Sequence, residues 1–274
     1  TGTVVEPYYD PMLAKIIVHG ADRPAAIAAL QRALAASRMA GIATNLDYLS
    51  AIAASDMFAA GDVTTAALGR FAFAPKGIEV LAPGAQSSLQ ELPGRLGLWH
   101  VGVPPSGPMD ARGHRNANRL VGNPPDTAAL ELTMTGPTLR FLSPVRVGLA
   151  GARMRMTLDG AAVTGAVIDV PAGGVLAFGA IEGAGMRAYL AVAGGFATPE
   201  VLGSRATFGL GGFGGHATGT LRTGDVLPLS AVPATAPMKP EPANLTHDWT
   251  LSVVYGPHGA PDFFAPEDIE TLFT

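Results

Sequence analysis

The sequence predicts a turn-rich, mainly β fold preceded by a small α+β unit. Glycine and proline are abundant, 35 and 23 of 274 residues, and from Ile78 onward they separate short runs of Val, Ile, Leu and Thr. Runs of that kind, bounded by turn residues, read as strands of a barrel or sandwich. The first quarter differs, because its apolar residues recur at three- and four-residue spacing. With 48% hydrophobic residues the chain can bury a real core, and its length allows one to two domains.

Composition also removes several functions. A net charge of −4 without a basic run argues against a nucleic-acid surface. No apolar run approaches the ~20 residues that cross a bilayer, and the start TGTVVEPYYD lacks the basic and apolar regions of a signal peptide. A cytoplasmic protein with no membrane partner is therefore expected. Without cysteine there is no disulfide, no thiolate catalysis and no Cys-ligated zinc. The missing initiator Met and the ending PEDIETLFT, with no C-cap signal, predict an internal piece of a longer polypeptide.

The elements follow in order. MLAKIIVHG, residues 12–20, is a β-branched run ended by Gly20 and reads as a buried strand, with Lys15 and His19 as edge or interface residues. Asp22 supplies an N-cap and Pro24 a first-turn proline for a helix carrying Ile27, Leu30 and Leu34. Gly41 breaks the chain. Thr44 then caps a second helix with Leu46, Leu49 and Ile52, and Asp47 sits near its positive end.

YYDPMLAKIIVHGADRPAAIAALQRAL followed by GIATNLDYL resembles the C-terminal domain of biotin carboxylases. The resemblance covers residues 1–58 and marks them as a remnant of that α+β domain. It implies that ATP and Mg act at a site upstream of this chain. Residues 59–77 shift to mixed apolar and Gly/Pro composition and read as a linker, centred near 75–77.

Strands are then expected in IEVLAPG, ALELTMTGPTLRF, VRVGLAGARMRMTLDG, VIDVPAGGVLAFG, MRAYLAVAGGF and GTLRTGDVLPL. Between the first two lies GLWHVGVPPSGPMDARGHRNANRLVGN, residues 97–123. Pro104 and Pro105 hold its backbone extended, while Gly102 and Gly107 allow close approach or positive φ. Asp110 caps a helix that ends at Gly122. His114, Ala117, Asn118 and Val121 share one face of that helix, and Arg112, Arg115 and Arg119 another. A stiff loop feeding a capped helix can hold polar groups against a small ligand, although Asp110 can equally be only a cap and Asn118 only a framework residue.

GAQSSLQELPGRLGLWHVGVPPSGPMD, NANRLVGN and ALELTMTGPTLRF resemble the family named for allophanate hydrolase subunit 2, which also supplies a subunit of 5-oxoprolinase. That module forms the first part of the carboxyltransferase domain of urea carboxylase as well. AYLAVAGGF, FGLGGFGGHATGTLRTGDVL and YGPHGAPDFF extend the likeness over residues 78–274, with one departure at Glu91, where many members carry Asp. The resemblance implies a cyclophilin-like β-barrel. A biotin carboxylase tail running into this module is the order of urea carboxylase, a biotin-dependent ligase of urea degradation. It implies transfer of a carboxyl group from carboxybiotin to urea, giving allophanate. The biotinyl domain and the remaining transferase half of the same polypeptide are the implied partners, and guanidine or another small amide remains open as substrate. Two alternatives stand beside it: a 5-oxoprolinase-type component that opens a lactam with ATP, and a non-catalytic regulatory or binding module.

Carboxyl transfer asks for oxyanion donors, an oriented amide nitrogen and a proton acceptor. The candidates are His216, Asp110 and Glu131 for catalysis, with Asn118, Ser106, Gly107 and Gly215 for substrate binding. Glu131 alternates with Leu130 and Leu132, so it faces away from them, toward solvent or toward a ligand. Other motifs carry less. GLGGFGG, residues 209–215, contains G-x-G-x-x-G but leads into a strand context. APMKP, residues 236–240, resembles the biotin-acceptor A-M-K-M, yet its prolines suit a linker. No histidine spacing, His247 and His258 included, matches a metal motif, so no metal is expected.

Overall fold

The computed structural model describes residues 5, 8, 10, 12–37, 39, 42, 44–61, 63–216, 219–230, 235–253 and 263–273. Helices come first. α1 spans Arg23–Ala36, and Asp22 caps it by accepting the Ala25 N–H at 2.8 Å. α2 spans Leu46–Ala53. Its cap position is Asn45, one residue later than the sequence predicts, while the Thr44 hydroxyl still accepts the Leu46 N–H at 3.4 Å. α3, Asp56–Ala60, and α4, Ala67–Arg70, follow, so the expected linker contains a short helix.

Residues 12–19 overturn one expectation. They form no strand, and Met12, Leu13, Ile16 and Ile17 are exposed, Ile17 by 83%. No described strand lies beside them, so the β-branched run has no ladder to satisfy its N–H and C=O groups. Gly41 lies outside the described residues.

From Ile78 the chain is β, as its punctuation predicts. β1 (Ile78–Ala82), β2 (Gln86–Gln90), β3 (Ala129–Thr133), β4 (Thr138–Phe141), β5 (Val145–Gly151) and β6 (Arg153–Leu158) come first. β7 (Ala161–Val163), β8 (Val167–Val170), β9 (Val175–Glu182), β10 (Arg187–Val192) and the two-residue β11 (Val226–Leu227) complete the set. They form two antiparallel sheets, in the orders β11-β1-β4-β9-β6-β7 and β2-β3-β10-β5-β8. Neither closes on itself among the described residues, so the mainly β fold is built as two sheets and no closed barrel is present there.

Alternation along the strands explains the layers. Leu89, Leu130, Leu132, Ala188, Leu190 and Val147 from the second sheet pack with Ile78, Val80, Leu139, Phe141, Leu176 and Phe178 from the first. The opposite face of the second sheet receives α5, Ala111–Leu120, through Ala117 and Val121 against Ala129, Tyr189 and Ala191. His114, Ala117, Asn118 and Val121 are the buried face of α5, and Arg112 and Arg115 are exposed, as the spacing predicts. Gly113 is required by proximity: a Cβ there would stand 2.6 Å from Asp110 Oδ2 and 2.9 Å from the Tyr189 ring. α6, Pro266–Phe273, closes the described chain.

Candidate functional site

Two polar clusters flank the end of β2, and Gln90 joins them. On one side the register pairs Ser88, Glu131 and Tyr189 across β2, β3 and β10, all on the face that receives α5. Glu131 Oε2 accepts the Tyr189 hydroxyl at 2.7 Å and the Met109 N–H at 2.8 Å, and Arg187 Nε lies 3.5 Å from Oε1. The same Tyr189 hydroxyl accepts the Asp110 N–H at 2.7 Å. Asp110 Oδ1 then accepts the N–H groups of Arg112 and Gly113, both at 3.0 Å, which satisfies the first turn of α5. Burial and the Glu131 carboxylate push the Tyr189 phenol far above its ordinary pKa. It therefore stays protonated and can donate.

His114 edges the Tyr189 ring, and its Nε2 lies 3.1 Å from the Gln90 carbonyl oxygen. Burial lowers its pKa. The Gln90 side chain donates to Ser88 Oγ at 3.0 Å and to the Thr207 carbonyl at 3.4 Å, which leads to the second cluster.

There Arg95 is fully buried. Its Nε donates to Val201 O at 2.8 Å, and Nη2 donates to Ala206 O at 2.7 Å and Ser204 O at 3.2 Å. Phe213 lies under the guanidinium, 5.1 Å from ring centroid to Cζ. Burial lowers the Arg95 pKa, and Glu91 opposes that shift. Glu91 itself accepts from Ser204 Oγ at 2.9 Å and from the Arg205 N–H at 2.5 Å, so it anchors the 204–206 turn.

Two loops close on this segment. The Arg95 N–H donates to Pro105 O at 2.5 Å, which pins the proline loop. Ser106 has φ 59° and a buried hydroxyl without a hydrogen bond, and Gly107 has φ 93° with Glu91 O 3.3 Å from where a Cβ would stand. From the other side comes the glycine loop. Gly214 and Gly215 have φ 77° and 63°, and a Cβ on Gly214 would strike Ala206 O while one on Gly215 would strike Thr207 Oγ1. Only glycine serves at these two positions. His216 follows, with Nε2 buried and 3.8 Å from Asp225 Oδ1. Burial lowers its pKa, while the Asp225 charge works the other way.

The comparisons with known proteins fit this architecture. Residues 101–274 match the family described as carboxyltransferase domain, subdomain A and B. The chain belongs to that family. Residues 1–70 match the biotin carboxylase C-terminal domain, which therefore precedes the carboxyltransferase match in the chain. It is 43% identical to a urea amidolyase of Saccharomyces cerevisiae over 100% of this chain and 15% of the relative. A crystal structure of the Kluyveromyces lactis urea carboxylase superposes with TM-score 0.77 and 43% identity, over 99% of this chain and 25% of that one. A 5-oxoprolinase subunit of Escherichia coli is 37% identical over 56% of this chain and 49% of its own. In the first two relatives the matched region is a minor part of a much longer polypeptide.

Within the carboxyltransferase the residues singled out from sequence separate into three groups. Ser106 and Gly107 lie on a loop that meets the 90–95 segment. The glycine loop reaches that segment through Phe213 and Gly214, while Gly215 abuts Thr207 and His216 faces Asp225. Asp110 and Glu131 are brought together by Tyr189 and Met109: Glu131 Oε2 holds the loop and Asp110 Oδ1 holds the helix start. Asn118 stands apart from both. Fully buried, it donates to Thr127 O at 2.7 Å and accepts from Asn123 Nδ2 at 3.0 Å, so its amide locks α5 to the following loop.

Sequence reasoning missed Arg95, Tyr189 and Thr207. Tyr189 had a signal: in MRAYLAV it shares the parity that faces away from the apolar core. Arg95, a lone arginine in ELPGRLG, had none. APMKP turns out to lie in a strap along α5, where Met238 N–H donates to Arg119 O at 2.8 Å and Asn116 brackets the Glu241 backbone at 2.7 and 2.9 Å. GLGGFGG is a loop bridged by Phe208 and Phe213, not a helix start. Among the described residues no group of three or more His, Asp or Glu could hold a metal, and no helix is long and apolar enough to cross a membrane. His258 lies outside them.

Proposed function

We propose that this chain is the junction of a urea carboxylase: the end of its biotin carboxylase part and the first part of its carboxyltransferase, with a boundary between residues 58 and 78. The whole enzyme would use ATP, Mg and bicarbonate and pass a carboxyl group to urea, giving allophanate. One observation carries the reading. Both domains stand in that order in one chain that aligns along its full length with a urea amidolyase, whereas the 5-oxoprolinase relative aligns with little over half of it.

The residues at the second cluster suit biotin, because Arg95 Nη1 is a buried donor without a partner, of the kind a ureido oxygen accepts. Bound biotin would supply the ureido nitrogen that carries the carboxyl group between sites. The chain's own groups would do the rest. Arg95 offers a donor to a developing oxyanion, and Ser106 and Gly107 shape the facing wall. His216 is held neutral by burial, so its Nε2 can take the proton that the amide nitrogen loses, and Asp225 then faces the imidazolium. Asp110 and Glu131 serve by fixing the loop.

The test is phosphate release by the complete polypeptide with ATP and bicarbonate. Urea should stimulate it, and more than guanidine does. Equal or greater stimulation by guanidine would overturn the choice of substrate.

A further inference from the structure

One end of the second sheet carries three exposed methionine side chains that neither polar cluster uses. Met109 precedes α5, Met134 lies in the turn after β3 and Met186 in the turn before β10, and they are 75%, 53% and 55% exposed. Backbone contacts bring their positions together. Met134 N–H donates to Met186 O at 3.4 Å, and Met109 N–H donates to the Glu131 carboxylate, which Arg187 approaches to 3.5 Å. Met134 has φ 58°, a conformation that favours glycine. A large apolar side chain held there, half in water, does nothing for the sheets beneath it. Methionine is unbranched and polarizable, which suits it to packing on a partner's surface, and clustered exposed apolar side chains mark such surfaces.

The chain itself leads a partner to this end. Along the strap Thr235 binds Gly122 O, Met238 binds Arg119 O and Glu241 is bracketed by Asn116, so the strap runs antiparallel to α5, toward the helix start where Met109 stands. Leu245 then comes to rest beside Gly185, the neighbour of Met186. Beyond it Trp249, Leu251 and Val253 are exposed at every second position, the pattern of a strand with one apolar face, and none of them pairs with a described strand. The matched family is described with two subdomains, A and B, and residues 78–227 build one unit of two sheets. We propose that Met109, Met134 and Met186 form the face on which the second subdomain packs, and that residues 249–253 begin that subdomain. A biotinyl domain that leaves in every cycle suits the patch less, because apolar faces of this kind belong to permanent contacts and each departure would return the side chains to water.

The docking face rests on the carboxyltransferase reading, and peroxide footprinting read by mass spectrometry tests it. The three methionines should oxidise readily in the 274-residue chain and several-fold more slowly in the complete polypeptide at equal molar concentration. In the complete polypeptide Met186→Glu should bring Met109 and Met134 back toward the short-chain rate, because a carboxylate is costly in an apolar contact. Should that variant misfold, the wild-type comparison still decides. Photoreactive methionine in the complete polypeptide should cross-link these positions to the second subdomain. Equal oxidation in the two proteins would overturn the proposal. So would cross-links to the biotinyl domain instead, or protection of the short chain by itself that rises with concentration, which would assign the face to a second copy. Urea-stimulated phosphate release with the methionines still open would sink the docking face alone; protection without that stimulation would sink the urea reading alone.

Discussion

Tyr189 carries two hydrogen bonds through one oxygen, and they tie three parts of the fold together: β10 holds the ring, β3 brings Glu131, and the Asp110 N–H reaches it from the start of α5. Replacing it with Phe keeps the packing and removes both bonds, leaving a buried carboxylate short of a donor. Tyr189→Phe should cost about 1–3 kcal/mol in chemical denaturation, read against wild type at the same pH. His114 and His216 predict a pH effect. Burial sets both folded pKa values below the ordinary histidine value near 6.5, so the unfolded chain binds protons first as pH falls. Their contribution is complete above about pH 6.5 and is lost as pH drops toward the folded values. A melting series from pH 7.5 to 5 should fall, and His216→Asn should make the fall shallower; an unchanged slope would remove His216 from that role.

α5 shows what an element's sequence reveals and what it hides. Its cap, its end and its buried face were legible, since Asp110, Gly122 and the three- and four-residue spacing act locally. The work of its polar residues was not. Asn118 faces inward to serve the backbone, and Asn116 holds a strap more than a hundred residues away, contacts that no local pattern encodes. Asn116→Ala should release that strap, so hydrogen exchange across residues 235–245 should quicken while the strands keep their protection. Uniform protection in the variant would show that Arg119 and Gly122 hold the strap by themselves. Most of the strands were readable because Gly and Pro bound them, though the short β7 was not; their sorting into two sheets was not readable either, since pairing depends on long-range register. Residues 12–19 misled for the same reason, having strand composition and no described neighbour to pair with.

Across the whole molecule, the proline loop at Ser106 and the glycine loop, through Phe213 and Gly214, converge on one short segment, Gln90 to Arg95, one from nearby in the chain and the other from more than a hundred residues away. Motif reading found both loops, because each has a composition that only backbone geometry explains. It missed the buried arginine between them, whose partners are carbonyls from a distant turn. On the carboxyl-transfer reading proposed above, this convergence would serve the transfer step, and the loading of biotin would fall to other parts of the enzyme. The most direct measurement uses the complete polypeptide with isotopically labelled bicarbonate, following label on biotin and label in the urea product separately. His216→Ala should load biotin at the wild-type rate and pass label to urea at least tenfold more slowly, in line with loss of a general base. Wild-type transfer in a folded His216→Ala enzyme, or a loss confined to the loading of biotin, would contradict the account.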